Sequence, residues 1–93
     1  MIKVSASLDC ADYLHLGEEV KKLERAKIDM LHIDIMDGVF VPNFALGTNL
    51  LRKLRPATSL FFDVHLMVQS PEPFIPLFAD LGADMITFHA EVD

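Results

Sequence analysis

The sequence predicts a parallel α/β fold, and three observations carry that reading. Short segments rich in large apolar and β-branched residues alternate with amphipathic, helix-like stretches from end to end. Successive strand segments are separated by helix-length connections rather than hairpin turns, which demands crossovers and hence parallel pairing. No linker, low-complexity tract or block of like charge interrupts the pattern, so 93 residues read as one unit. Open doubly wound sheets and closed barrels both satisfy this pattern.

The elements follow in order. Residues 2–7 read as a short strand. Residues 12–27 read as an amphipathic helix with Leu16, Val20 and Leu23 on one face and Asp12 as its N-terminal cap. Residues 30–36 form a second strand, followed by a loop with Gly38, Pro42 and Asn43 and a helix over 48–54. Residues 59–67 are the third strand. Ser70 and Pro71 look like a cap and a first helical position. Pro73 and Pro76 blur that start, because proline lacks an N–H to donate. Gly82 should stop the helix near Leu81, and 84–89 make the fourth strand.

Composition narrows the partners. A hydrophobic fraction of 52% and a mean hydropathy of +0.33 are high for a short chain, which buries proportionally less surface than a long one. Such a chain is expected to complete its core within a larger fold or an oligomer. The net charge of −6 argues against nucleic acid, whose phosphates call for clustered cations. Lys21, Lys22, Arg25 and Lys27 do cluster, but Glu18, Glu19 and Glu24 interleave with them at helical spacing, as on a solvated helix face. One cysteine, Cys10, builds no disulfide framework, so a reducing cytoplasm is expected. No apolar run reaches the roughly 18 residues of a membrane span, and no basic segment with an apolar core suggests a signal peptide.

The chemistry concentrates in His32-Ile33-Asp34-Ile35-Met36-Asp37-Gly38. On a strand, alternate side chains share a face, so His32, Asp34 and Met36 point one way and Leu31, Ile33 and Ile35 the other. The aliphatic face should meet helices. The polar face would enter the interior of a parallel sheet, which is normally buried on both sides. A buried carboxylate must be compensated, and a metal ion would do so. The third strand repeats the device, with Asp63, His65 and Met67 on one face. His32, Asp34 and His65 suit Zn²⁺, Fe²⁺, Mn²⁺ or Co²⁺. The plainer alternative is a hydrogen-bonded His32–Asp34 pair with His65 satisfied in the core. Met36 and Met67 serve either as core filler or as pocket lining. Ser7 either meets a substrate oxygen or starts a turn, and His89 is a further pocket candidate. His15 reads as solvated, and Cys10 has no base to make it a nucleophile.

The run from His32 to Gly38, then Phe40-Val41-Pro42-Asn43, then Asp63-Val64-His65-Leu66-Met67, closely resembles ribulose-phosphate 3-epimerases; Leu16-Gly17-Glu18-Glu19-Val20 and Gly82-Ala83-Asp84 also fit. The resemblance implies that residues 1–93 are the first half of a (β/α)₈ barrel, β-α-β-α-β-α-β with four parallel strands, whose site lies at the strands' C-terminal ends. It implies His32, Asp34 and His65 as ligands of one divalent ion, with Asp34 also an acid/base carboxylate. Ser7 and His65 become substrate contacts, and Met36 and Met67 the lining around the reacting carbon. The implied activity is interconversion of D-ribulose 5-phosphate and D-xylulose 5-phosphate, in carbohydrate and pentose phosphate metabolism. Relatives of this type take a second acid/base aspartate from strand seven and phosphate loops from the second half. The chain alone is therefore expected to be incomplete, with a C-terminal half-barrel or a homo-oligomer as partner.

Departures leave the substrate open. Where the family usually has Pro-Ser-Ile-Leu-Ser, this chain has Ala6-Ser7-Leu8-Asp9-Cys10. A cysteine at that place resembles relatives acting on allulose 6-phosphate, a hexulose phosphate. A decarboxylase or aldolase-like synthase of the same superfamily would carry Asp-x-Lys, whereas residue 36 is Met. A non-catalytic metal-binding or assembly half-barrel is the alternative from outside enzymology.

Overall fold

The computed structural model of the chain describes residues 2–92; Met1 and Asp93, the two ends of the expected 1–93 domain, lie outside the described residues. Strand β1 is Ser5–Ser7, shorter than expected. Before it, the Val4 N–H is taken by the Asp29 carboxylate at 2.6 Å. Two short 3₁₀ turns follow, Leu8–Cys10 and Tyr13–His15, and helix α1 then runs from Leu16 to Arg25. Asp12 does cap, but it caps the second turn through the Leu14 N–H. His15, at φ −136° and ψ 37°, breaks the path between that turn and the helix, so α1 starts four residues later than the sequence suggested.

Val20 of α1 is buried, and Leu16 and Leu23 pack on the same core, as the helical spacing required. Past the end of α1, Lys27 N–H bonds Glu24 C=O and Ile28 N–H bonds Leu23 C=O. Lys27 takes a positive φ of 59° in this cap, a place glycine usually fills. At the end of α3 (Phe74–Asp80) the same two bonds run from Gly82 to Ala79 and from Ala83 to Phe78. There Gly82 supplies the left-handed residue with φ 106°. The stop signal at Gly82 is therefore met, but the start is not as expected. Pro73 rather than Ser70 precedes the first helical residue, and no side chain caps it. Pro76 costs no bond, because it sits in the first turn, where N–H groups have no intrahelical partner; the Pro71 carbonyl instead accepts from Phe74 and Ile75.

The remaining elements are β2 (Met30–Asp37), β3 (Phe44–Ala45), α2 (Thr48–Leu54), β4 (Phe61–Met67) and β5 (Met85–Phe88). The sheet order is β1-β2-β4-β5, with β3 paired to β2 off this path. The four strands on the path are parallel. The short β3 is antiparallel, Met36 facing Ala45 and Asp37 facing Phe44. The fold is thus α/β with a parallel sheet, consistent with part of a (β/α)₈ barrel, and the sheet is not closed.

One face of the sheet carries the core. Leu31, Ile33 and Ile35 from β2 and Phe62, Val64 and Leu66 from β4 are buried against Val20, Leu51, Leu54 and Phe78 of the helices. Each such side chain contributes about 1.5–3 kcal/mol when removed from water. At the N-terminal ends of β4 and β5, Arg55 ties the connections together. It donates to the carbonyls of Thr58, Leu60 and Gly82 and to Asp84, and its guanidinium lies 3.7 Å from the centre of the Phe62 ring.

Candidate active site

The opposite face is a ladder of polar rungs fixed by the register. In-register residues of a parallel sheet point to the same side, which aligns Ser7 with His32 and His32 with Asp63. The next rung holds Asp34, His65 and Thr87, and the one after it Met36 and Met67. Every site residue expected from the sequence, Ser7, His32, Asp34, Met36, His65 and Met67, therefore lies on one face, which runs from His32, the third residue of β2, to Met36 and Met67 near the strands' C-terminal ends.

His32, Asp34 and His65 each offer one ligand atom, all within 4.8 Å of one another. His32 Nε2 lies 2.9 Å and His65 Nδ1 3.1 Å from the same atom, Asp34 Oδ1. Two imidazole nitrogens and a carboxylate converging in this way could hold a divalent ion, with N/O donors of the type that Zn²⁺, Fe²⁺, Mn²⁺ and Co²⁺ accept. Without an ion, the same atoms make the hydrogen-bonded His32–Asp34 pair that the sequence also allowed. The face is less buried than expected for a parallel sheet. The His32, His65 and Asp34 side chains keep 29%, 25% and 17% exposure, because helices cover only the aliphatic side among the described residues.

Asp63 is the residue whose role the sequence did not reveal, although its place on this face was legible. It is buried and accepts from His32 Nδ1 at 2.8 Å and from the Ser5 hydroxyl at 3.2 Å. A carboxylate on Nδ1 fixes the imidazole's orientation and leaves Nε2 facing Asp34, the arrangement by which second partners orient metal-ligating histidines. Burial acts to lower the His32 pKa, but the Asp63 hydrogen bond and the charges of Asp34 and Asp63 outweigh it and raise the value above 6.5.

Two loops meet above the ladder. Asp37 accepts from the Val39 and Phe40 N–H groups on Oδ1 and from the Gln69 N–H on Oδ2. These bonds, that from Gln69 first, hold its carboxyl below the ordinary 3.8. Gly38 follows with φ 76°, and a Cβ there would lie 2.5 Å from the Phe44 ring, so the turn needs glycine on both counts. Met36 and Met67 are half-buried. Cys10 is exposed and His15 pairs with Asp12 at 2.9 Å in solvent. Among the described residues, no helix is long and apolar enough to cross a membrane.

Fold and site together define a parallel α/β protein with a His-Asp-His cluster on one face of two adjacent strands. Residues 3–93 match the ribulose-phosphate 3 epimerase family, and the chain belongs to it. It is 48% identical over 91 residues to the ribulose-phosphate 3-epimerase of Bacillus subtilis (strain 168), covering 98% of this chain and 42% of that protein. The chloroplastic ribulose-5-phosphate-3-epimerase of Arabidopsis thaliana is 47% identical over 90 residues, 97% of this chain and 32% of the relative. The Methanocaldococcus jannaschii ribulose-phosphate 3-epimerase is 45% identical over 91 residues, 98% and 38%. The chain spans about two fifths of the length of the Bacillus relative.

Proposed function

We propose that this chain supplies the metal-ligand half of an epimerase active site that inverts C3 of a ketose phosphate, converting D-ribulose 5-phosphate to D-xylulose 5-phosphate. The observation that carries the reading is the convergence of His32 Nε2 and His65 Nδ1 on one oxygen of Asp34, in a chain of this family. His32, Asp34 and His65 would hold the ion. A divalent ion at this place supplies electrostatic stabilisation for the negative charge that builds on the substrate oxygens as the C3 proton leaves.

The residues of the chain divide the rest of the work. Asp34 takes the C3 proton from one face of the substrate, for which its Oδ2 is left without a hydrogen bond from the described residues. Inversion then requires a proton delivered from the other face, so a second acid/base group must stand opposite Asp34. We assign that group, and the phosphate contacts, to a segment outside these 93 residues, either a C-terminal half-barrel or a second chain. Asp63 holds the His32 ring, Ser7 reaches a substrate oxygen, and the Met36 and Met67 thioethers line the reacting carbon without offering it a proton. His65 contacts substrate from the same rung as Asp34.

The test is exchange of the C3 hydrogen of ribulose 5-phosphate with deuterated solvent, followed by NMR, in the chain joined to the part of the Bacillus relative that it does not span. Asp34→Asn should slow exchange by about 10²–10⁴-fold while the fused protein stays folded. Unchanged exchange in Asp34→Asn would remove Asp34 from the proton chemistry. A folded, metal-loaded fusion without exchange would favour a non-catalytic metal-binding role.

A further inference from the structure

One imidazole outside the ligand set touches it. His89, just past β5, places Nε2 at 2.8 Å from Nε2 of His65. The two rings stack with centroids 4.9 Å apart and an interplanar angle of 27°. The Phe40 ring is tilted against His89 with centroids also 4.9 Å apart, and Glu91 Oε1 lies 3.6 Å from His89 Nδ1.

A neutral imidazole has one N–H donor and one acceptor nitrogen, and two nitrogens at hydrogen-bond distance need one of each. The tautomers of His65 and His89 are therefore tied. With no ion present, Asp34 accepts from His65 Nδ1, so the His65 proton sits on Nδ1 and its Nε2 must accept from His89. A nitrogen that ligates a metal carries no proton. For His65 to ligate through Nδ1, its proton must lie on Nε2 and be donated to His89. That makes His89 Nε2 the acceptor and moves the His89 proton to Nδ1, the nitrogen facing Glu91.

We infer that His89 is a positioning residue that sets the tautomer of His65, and that metal loading reverses the direction of the His65–His89 hydrogen bond. The protons balance: His65 loses one at Nδ1 and gains one at Nε2, and His89 loses one at Nε2 and gains one at Nδ1, both through water. The inference rests on the proposed metal centre.

The experiment combines ¹⁵N NMR of the imidazole nitrogens, with and without Zn²⁺, with Zn²⁺ affinity measured by chelator competition in wild type, His89→Leu and His89→Gln. Zn²⁺ should move the wild-type His65 proton from Nδ1 to Nε2 and the His89 proton from Nε2 to Nδ1. His89→Leu should weaken Zn²⁺ binding about 10–100-fold, and His89→Gln, whose side chain both accepts and donates, should recover most of it. Wild type that binds Zn²⁺ with the His89 tautomer unchanged overturns this inference and leaves the metal centre standing, as does a folded His89→Leu protein with wild-type affinity. Wild type that binds no Zn²⁺ overturns both. The NMR arm needs no variant, so a misfolded substitution does not blunt it.

Discussion

At Asp37 three backbone N–H groups from two loops converge on one carboxylate. Because its folded pKa is depressed below 3.8, it contributes stability that is present above that value and lost as pH falls through the folded value. Thermal melts below pH 4 should therefore show a steeper acid loss in wild type than in Asp37→Asn; parallel curves would count against this role. The proposed ligands carry a second prediction. Protein purified without chelator should carry about one divalent ion per chain, lost in His32→Ala and in His65→Ala. Stoichiometric metal surviving in both would contradict the assignment. His32, Asp34 and His65 were legible because a period of two puts polar side chains on one face of an apolar strand. The partnership of Asp63 with His32, and of His89 with His65, depends on which strands are neighbours and in what register, and no single strand's sequence encodes that.

Among the elements, the order of strands and helices was legible because each buries a continuous aliphatic stripe, as Leu31, Ile33 and Ile35 do in β2. The boundaries were less so. Two residues of β3 show no periodicity, and their pairing with Met36 and Asp37 arises only once the loop folds back. The split between the 3₁₀ turn and α1 turns on one backbone conformation, at His15, which its side chain does not announce. Energetically, the connections into β4 and β5 depend on Arg55. Arg55→Met keeps its apolar stem and removes donors to three carbonyls and Asp84. Hydrogen bonds to a charged group are worth about 1.5–3 kcal/mol each, and water replaces part of that here, so denaturant unfolding should show a loss of about 2–4 kcal/mol. A loss below about 0.5 kcal/mol, the range of ordinary surface substitutions, would show that the clamp is incidental. Gly82→Ala should also destabilise, because the position needs φ 106° and the new Cβ would meet Arg55 Cδ at 2.1 Å.

For the whole molecule, the Cα radius of gyration of 13.1 Å is that of a packed domain of this length, about 13 Å, yet among the described residues the sheet has two free edges and one uncovered face. Phe61 and Met85 on that face are 40% and 41% exposed, and Phe88 at the edge is 49% exposed. Apolar surface left in water costs about 25 cal/mol per Å², and open strand edges invite pairing. Sedimentation of the isolated chain should accordingly report dimers or larger species; a monodisperse, cooperatively unfolding monomer would mean that the uncovered face costs little. The proposed chemistry has the same one-sided form, since Asp34 would address one face of a substrate and inversion needs two. The most direct measurement is turnover of D-ribulose 5-phosphate by the metal-loaded chain, with and without the separately supplied part of the Bacillus relative that it does not span. The proposed division of the site predicts negligible turnover by the chain alone and about 1–1,000 per second once the two parts assemble. Turnover at that rate by the chain alone, or none from a folded, metal-loaded assembly, would contradict it.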